Sequence, residues 1–564
     1  MSDVEYDLVV VGSGAAGMTA ALTAAHHRLS VLVIEKSELF GGSTARSGGG
    51  VWIPNNPVLA RAGIRDTPEE ARQYLKHIVA GGSPDECQQA FLERGPEMLA
   101  FVLDHTPLRF AWVPGYSDYY PEAPGGRPGG RSIEPRPLPA RVLGEHRRRL
   151  QPPYLKAPTG LAVTQADYRW LNLVARHPRG VLRSALVTMR RVFSLLTGRE
   201  LLTMGQALAG GLRVGLESAG VPLWPATPLV SLGYDGDRVG GVEVTHDGQP
   251  VVIRASRGVV LTSGGFERNE RMRTEYQREP IGTEWTVGAP ENTGDGIEAG
   301  IALGAAVDVM DDAWWGPSIP LPRGPYFCLA ERTLPGCIMV NARGERFVNE
   351  AAPYVDAVHA MYGSGTGPGQ NIPTWLIADQ RYRNRYIFAG LGPRQPFPRR
   401  WYEHGTVHRA NTLAGLAAEI GVPADTLRAT VDRFNRHAAT GVDEDFGRGR
   451  SAYDRYYGDP RNQPNPCLGP LDQPPYYAIR IVPGDLGTKG GLRTDANARV
   501  LREDGTVIDG LYAAGNAAAP VMGRTYAGPG ATIGPAMTFG YLAALDAARE
   551  GATAEPAALD PDAR

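Results

Sequence analysis

Cysteine is scarce, with Cys87, Cys328, Cys337 and Cys467 the only four in 564 residues, and none falls in a CxxC pair or in a Cys/His ligand spacing. A disulfide framework and a metal centre are therefore not expected, and the four read as reduced thiols of a cytoplasmic protein. Charge of one sign is also lacking: Lys plus Arg number 58, Asp plus Glu 60, and the formal net charge is −2. Such a balance supplies no strong field for nucleic acid. Long apolar runs are missing near the start, where MSDVEYDLVVVGSG opens acidic and carries only LVVV. Neither a basic-headed signal peptide nor a span of about 20 apolar residues is expected there.

Glycine (71) and proline (47), by contrast, are plentiful and spread between apolar runs instead of repeating. That distribution implies many tight turns and close backbone approaches. The length exceeds the roughly 250 to 300 residues at which single cores stop growing, so two domains or one elaborated domain are expected.

YDLVVVGSGAAGMTAALTAAHHRLSVLVIEK reads as strand, glycine turn, alanine-rich helix and strand. Gly12, Gly14 and Gly17 follow the first strand and open the helix, and Glu35 closes the second strand. In such a βαβ unit Gly12 permits the turn, Gly14 admits a pyrophosphate, Gly17 lets helix and strand pack, and Glu35 accepts ribose hydroxyls. Ser13, Ala16 and Lys36 complete the set of expected contacts. The next stretch, KSELFGGSTARSGGG, departs from a plain NAD domain, and its Gly42, Ser43, Thr44, Ser47, Gly48 and Gly49 suit a loop running along FAD.

Later segments return to the same unit. RGVVLTSGGFERN ends a strand at Gly264, NTGDGIEAG starts a helix at Asp295, and VIDGLYAAGN ends a strand at Gly515 and Asn516. The expected fold is α/β: a Rossmann-like FAD-binding domain assembled from discontinuous segments, 1–314 and 488–564, with an inserted α+β catalytic domain, 315–487.

Residues 141–199 differ in character. Leu161 to Arg199 hold seven arginines against one acid, Asp167, interleaved with Trp170, Leu171, Leu182, Val192, Phe193, Leu195 and Leu196. A basic amphipathic pair of helices fits a peripheral membrane contact near anionic lipid. A subunit contact or a cover over the substrate pocket fits it equally.

Taken together, VVVGSGAAG, FGGSTARSGGGVWIPNNPVLARAG, SDYY, FVNEAAPYVD, PGDLGTKGGLRTD, GLYAAGN and MGRTYAGPGATIGPAMTFGYLAAL resemble the FAD-dependent 3-ketosteroid 1-dehydrogenases, within the fumarate reductase flavoprotein superfamily. The resemblance covers most of the chain, although 141–199 lies outside the compact family pattern. It implies FAD as cofactor, a 3-ketosteroid substrate, and four catalytic positions. Tyr526 and the Gly530 amide would clamp the ketone oxygen, Tyr354 would take the proton from carbon 2, and Tyr119, after Asp118 in SDYY, would support Tyr354. Tyr120 is the neighbouring alternative to Tyr119.

The superfamily's dicarboxylate reductases need cationic donors that NEAAPYVD and GDLGTKGGL do not supply, and Lys489 would not give the bidentate fork of an arginine. Past the clamp, Thr532 and Ile533 open a helix whose amides would face the flavin pyrimidine, with Pro535 in its first turn. The electron acceptor implied is quinone-like or another carrier. Two rival activities stay open: flavin chemistry at the 4,5 position or on an apolar enone, and a non-catalytic flavin- and membrane-binding protein.

Overall fold

The structure, a computed structural model, describes residues 4–154, 161–365 and 367–549. Residues 155–160 of the basic stretch and 550–564 of the expected FAD-binding segment lie outside them.

Its larger sheet has eight strands, five of them parallel in the spatial order Val507–Ala513, Gln249–Leu261, Val4–Val11, Val31–Ile34 and Leu223–Trp224. Beginning, middle and end of the chain thus meet in one sheet. Leu8 to Val11 and Val31 to Ile34 are buried without interruption, because both faces of a parallel sheet are covered. Alternate residues serve different cores: Leu8, Val10, Val31 and Val33 enter one, and Val9, Val11, Leu32 and Ile34 enter the other. Against the first core lies helix Ala15–His26, packed on the late helix Ile533–Arg549.

A second sheet has six strands, all antiparallel to their neighbours: Gly324–Phe327, Ala313–Leu321, Tyr476–Thr488, Thr374–Asp379, Cys337–Val340, and Val407–Ala410 alongside Tyr476–Thr488. Helices Leu413–Ile420 and Ala424–Thr440 close its core around Ile338, Ile377, Leu416 and Phe434. This is the α+β half of the α/β fold. The four cysteines are free and buried.

The basic stretch folds as short 3-10 turns over Ala140–Arg149, then helices Gln165–Leu171 and Pro178–Thr197. Thr164 and Asp167 cap the first helix reciprocally, the Asp167 amide donating to Thr164 Oγ1 and the Thr164 amide to Asp167 Oδ2, both at 3.2 Å. The same carboxylate, fully buried, accepts Arg183 Nη1 at 3.0 Å and Arg190 Nη1 at 2.5 Å. Three of the eight charges between Leu161 and Arg199 therefore fasten the two helices together.

Candidate active site

At the end of the first strand the chain must reverse within two residues. Gly12 does so at φ +106°, where a Cβ would stand 2.5 Å from the Thr262 carbonyl oxygen. Ser13 then hands its amide (2.9 Å) and hydroxyl (2.5 Å) to Glu35 Oε2. Burial raises the Glu35 pKa, and the hydrogen bonds from Ser13 and Ser37 oppose it. The helix that follows begins at Gly14 with no side-chain cap. Its leading amides lack intrahelical partners by construction, and they open onto a cavity of about 610 Å³. A helix start whose own N-cap is a glycine, beside a glycine turn, is a cradle for a pyrophosphate, so the residues present fit a dinucleotide.

The cavity wall takes in Gly12, Ser13, Gly14, Ala16, Glu35, Lys36, Gly42, Ser43, Thr44, Ser47, Gly48, Gly49, Gly264, Asp295, Gly515, Asn516, Thr532 and Ile533. Gly17 does not reach the wall. A Cβ there would lie 2.0 Å from the Gly12 carbonyl oxygen and 2.5 Å from Thr262 Oγ1, so its smallness serves the packing beneath the turn. The loop after Glu35 is pinned by its hydroxyls: Thr44 Oγ1 accepts the Ala15 amide at 3.0 Å, and Ser43 Oγ accepts the Ala289 amide at 2.9 Å. Lys36 pairs with Asp295 at 2.9 Å, tying the helix Asp295–Ala302 to the second strand.

Tyr119, Tyr354, Tyr526 and Gly530 converge at the other end of the same cavity. The Tyr119 ring centroid is 5.4 Å from that of Tyr354 and 5.1 Å from that of Tyr526, and Tyr354 and Tyr526 are 5.4 Å apart. Trp314 and Phe327 close the cluster edge-on, at 5.0 Å from Tyr526 and 5.1 Å from Tyr354. Burial pushes the Tyr354 hydroxyl well above the usual tyrosine pKa, and a hydrogen bond from Tyr119 draws it back. Tyr526 is raised by burial too, against Thr532, Tyr354 and the amides of Gly530 and Thr532.

The loop carrying Tyr526 is held by its carbonyls. Ala527 O accepts the Tyr119 amide at 3.0 Å and the Tyr74 hydroxyl at 2.6 Å, while Pro529 O accepts Ser132 Oγ at 2.6 Å. Gly530, at φ +98°, presses on Gly50, whose carbonyl carbon a Cβ would meet at 2.4 Å.

Tyr120 is absent from the wall, and its hydroxyl donates to Asp356 Oδ1 at 2.9 Å. Trp314 lines the cavity and donates Nε1 to Asn516 Oδ1 at 3.0 Å, whereas Trp315 turns away toward Asp312. The sequence did not single out which residues of the basic stretch reach the site: Leu161, Val163, Gln165 and Tyr168 line the cavity, and Gln165 Nε2 donates to Gly48 O at 2.8 Å. One of the alternatives weighed for that segment, a cover over the pocket, had named the signal.

A parallel sheet, a glycine cradle and one long cavity define a flavoprotein, and the FAD binding domain family matches residues 7–533. The chain is 62% identical to the 3-oxosteroid 1-dehydrogenase of Mycobacterium tuberculosis, over 97% of this chain and 98% of that protein. It is 59% identical to the 3-oxosteroid 1-dehydrogenase of Mycolicibacterium smegmatis, over 98% and 99%. The crystal structure of 3-ketosteroid Δ1-dehydrogenase from Sterolibacterium denitrificans, in complex with 1,4-androstadiene-3,17-dione, superposes with a TM-score of 0.90 at 42% identity, covering 97% of this chain and all of that one. The chain belongs to the 3-oxosteroid 1-dehydrogenase family of FAD-dependent oxidoreductases.

Proposed function

We propose that the enzyme introduces a double bond between carbons 1 and 2 of ring A in 3-ketosteroids, with Tyr354 as base, Tyr119 as its support, and Tyr526 with the Gly530 amide as the clamp on the ketone oxygen. The observation that carries this reading is the meeting of three tyrosines from distant segments at one end of a cavity whose other end is the dinucleotide cradle. In it the discontinuous unit 1–314 and 488–564 holds the cofactor, and the inserted unit 315–487 brings Tyr354.

A proton beside a ketone leaves only as charge is accepted on the ketone oxygen. Two donors fixed beforehand do this without reorganising, each worth about 2.7 to 4 kcal/mol. Thr532 Oγ1 donates to the Tyr526 hydroxyl at 3.0 Å, which leaves the Tyr526 proton free to point at the substrate. Tyr354 accepts the proton from carbon 2 as phenolate, the form that the Tyr119 hydroxyl stabilises. Phe327, Leu329 and Leu486 give the substrate end an apolar wall that excludes water. Bound FAD supplies the acceptor for the hydride from carbon 1. A quinone-like or other small acceptor restores it, since the sequence carries one strand–GxGxxG–helix unit.

Anaerobic mixing of the holoenzyme with 4-androstene-3,17-dione or progesterone tests the reading. Flavin absorbance at its long-wavelength band should bleach, and mass and NMR analysis should find the 1,4-diene. Bleaching by succinate and not by steroids would overturn it, and bleaching by 5α-androstane-3,17-dione with formation of the 4-ene, while 4-androstene-3,17-dione leaves the flavin oxidised, would support the rival activity.

A second reading concerns location. Helix Pro178–Thr197 leaves Val181, Leu182, Met189, Phe193, Leu195 and Leu196 between 53% and 82% exposed, with Arg179 and Arg199 exposed beside them. Among the described residues no helix is long and apolar enough to cross a membrane. We infer that this face rests on an anionic lipid surface, where apolar side chains enter the headgroup boundary and arginines stay at it.

A further inference from the structure

Behind the tyrosine cluster, outside the cavity wall, lies a closed ring of polar contacts, from the fully buried Lys489 to the partly exposed His359, that the reaction described above does not use. It starts on helix Tyr354–Tyr362, where Asp356 accepts the Tyr120 hydroxyl at 2.9 Å. Thr525 Oγ1 donates to that same hydroxyl at 3.2 Å. The Thr525 carbonyl accepts Lys489 Nζ at 3.2 Å, and Lys489 Nζ also donates to Asp312 Oδ2 at 3.0 Å. Asp312 Oδ1 is 2.8 Å from His359 Nε2, on the helix where the ring began.

Three stops in the ring lie within two residues of a tyrosine of the cluster. Tyr120 follows Tyr119, Thr525 precedes Tyr526, and Asp356 lies two residues beyond Tyr354. Lys489 is fully buried, and its third donor direction is taken up by the Trp314 ring, 4.8 Å away, which itself packs on Tyr526. A buried ion pair is weak evidence for stability, since apolar residues of equal volume often serve as well. A pair of fixed geometry does, however, set the register of the segments it joins. None of Tyr120, Asp312, Asp356 or Lys489 lines the cavity, so any influence on the reaction passes through their neighbours.

We propose that Tyr120, Asp356, Lys489 and Asp312 are positioning residues that hold the segments bearing Tyr119, Tyr354 and Tyr526 in mutual register. The inference rests on the reading of those three tyrosines given under Proposed function. Burial pushes the Asp312 carboxyl up, but Lys489 and His359 outweigh it and hold the group well below the usual range. Three segments that share no secondary structure are thereby linked by groups whose bonds have direction, which apolar packing lacks.

Tyr120→Phe keeps the ring and removes both hydroxyl bonds at the middle of the circuit. In the holoenzyme the FAD content and the steroid dissociation constant, read from the flavin spectral shift on adding product, should stay within about twofold of wild type, while the single-turnover rate of flavin reduction falls about tenfold, a shift of 1 Å being worth about a hundredfold. Asp356→Ala should match it. Asp356→Asn, which still accepts the Tyr120 hydroxyl, should restore the rate to within about threefold of wild type, and Tyr120→Phe combined with Asp356→Ala should be no slower than either alone. A Tyr120→Phe enzyme that reduces flavin at the wild-type rate overturns the inference, as does a fully additive double variant. Should Tyr120→Phe fail to fold, the Asp356→Ala and Asp356→Asn pair decides by the same criterion. Tyr354→Phe run alongside separates the two levels: normal turnover there removes the base assignment itself, whereas an inactive Tyr354→Phe beside an unaffected Tyr120→Phe removes only the ring.

Discussion

Thr532 Oγ1 stands 3.0 Å from the Tyr526 hydroxyl and donates to it, six residues on and at the threshold of helix Ile533–Arg549. A hydroxyl that accepts one bond presents its own proton elsewhere, here toward the cavity that both residues line. Thr532→Val removes the donor at nearly constant volume. A neutral hydrogen bond is worth about 1 kcal/mol net, so kcat/KM should fall about fivefold. Tyr526→Phe removes the donor to the substrate itself and should cost about 10² to 10³ in kcat. Steady-state kinetics on both variants checks the order. Equal losses would mean that Thr532 has a role of its own.

The pH dependence follows from the direction of the Tyr354 shift. Burial raises its pKa well above the ordinary value, so the phenolate that takes the proton is a minor form at neutral pH and grows as pH rises. Log kcat/KM should therefore climb between pH 7 and 9 with a slope approaching one, without a plateau. Tyr119→Phe removes the hydrogen bond that lowers the Tyr354 pKa, so the limb should move further alkaline and the rate at pH 7 should drop about fivefold, the worth of one neutral hydrogen bond. A flat profile in the wild type would argue for a base other than a phenol.

The cofactor half was legible because its determinants are local. Strand, glycine turn, helix and acid lie within one short stretch, and each residue's role follows from its place in the βαβ unit. The tyrosines are another matter. Tyr119, Tyr354 and Tyr526 sit far apart in the chain, and no spacing rule brings them together; motif resemblance singled them out, and only the tertiary fold sets their rings about 5 Å apart. Gln165 and Tyr168 were illegible for a related reason. Their helix is fastened by the Asp167 clamp on Arg183 and Arg190, and in the sequence those arginines read equally as a lipid contact, a subunit contact or a cover over the pocket. Lys489 looked like a weak substitute for a substrate cation, and buried pairing with Asp312 gives it a different task.

Glu267 supplies a stability prediction. It is fully buried, accepts Asn292 Nδ2 at 2.7 Å and faces the negative charge of Asp485, and burial, then Asp485, raise its pKa to about 7. A carboxyl raised in the folded state binds its proton more tightly there than when unfolded. Below the unfolded pKa near 4.5 both states hold the proton and nothing is lost. Between that value and about 7 stability declines as pH rises, and above about 7 the full cost of burying the anion, of order 3 kcal/mol, is present. Glu267→Gln should thus raise the thermal midpoint of the holoenzyme at pH 8 and leave it nearly unchanged at pH 4.5. A variant with the same pH profile as wild type would show that the Glu267 carboxyl has the same pKa folded and unfolded.

The exposed face of helix Pro178–Thr197 makes the last prediction. Leu195 and Leu196, 69% and 82% exposed, sit at the far end of a helix whose inner arginines are fastened to Asp167, so their substitution leaves the clamp and the cavity wall intact. Burying a leucine is worth about 1.5 to 3 kcal/mol, so Leu195→Glu with Leu196→Glu should weaken partitioning onto vesicles at least about a hundredfold. Wild-type enzyme should co-sediment with vesicles containing phosphatidylglycerol better than with pure phosphatidylcholine, because arginines near an anionic surface contribute about 1 kcal/mol each and salt screens them. Turnover of a detergent-dispersed steroid should be the same for variant and wild type, which separates surface binding from chemistry. Equal sedimentation of both proteins, or indifference to lipid charge, would assign the face to a protein contact instead, and the size of the enzyme in solution would then be the measurement that follows.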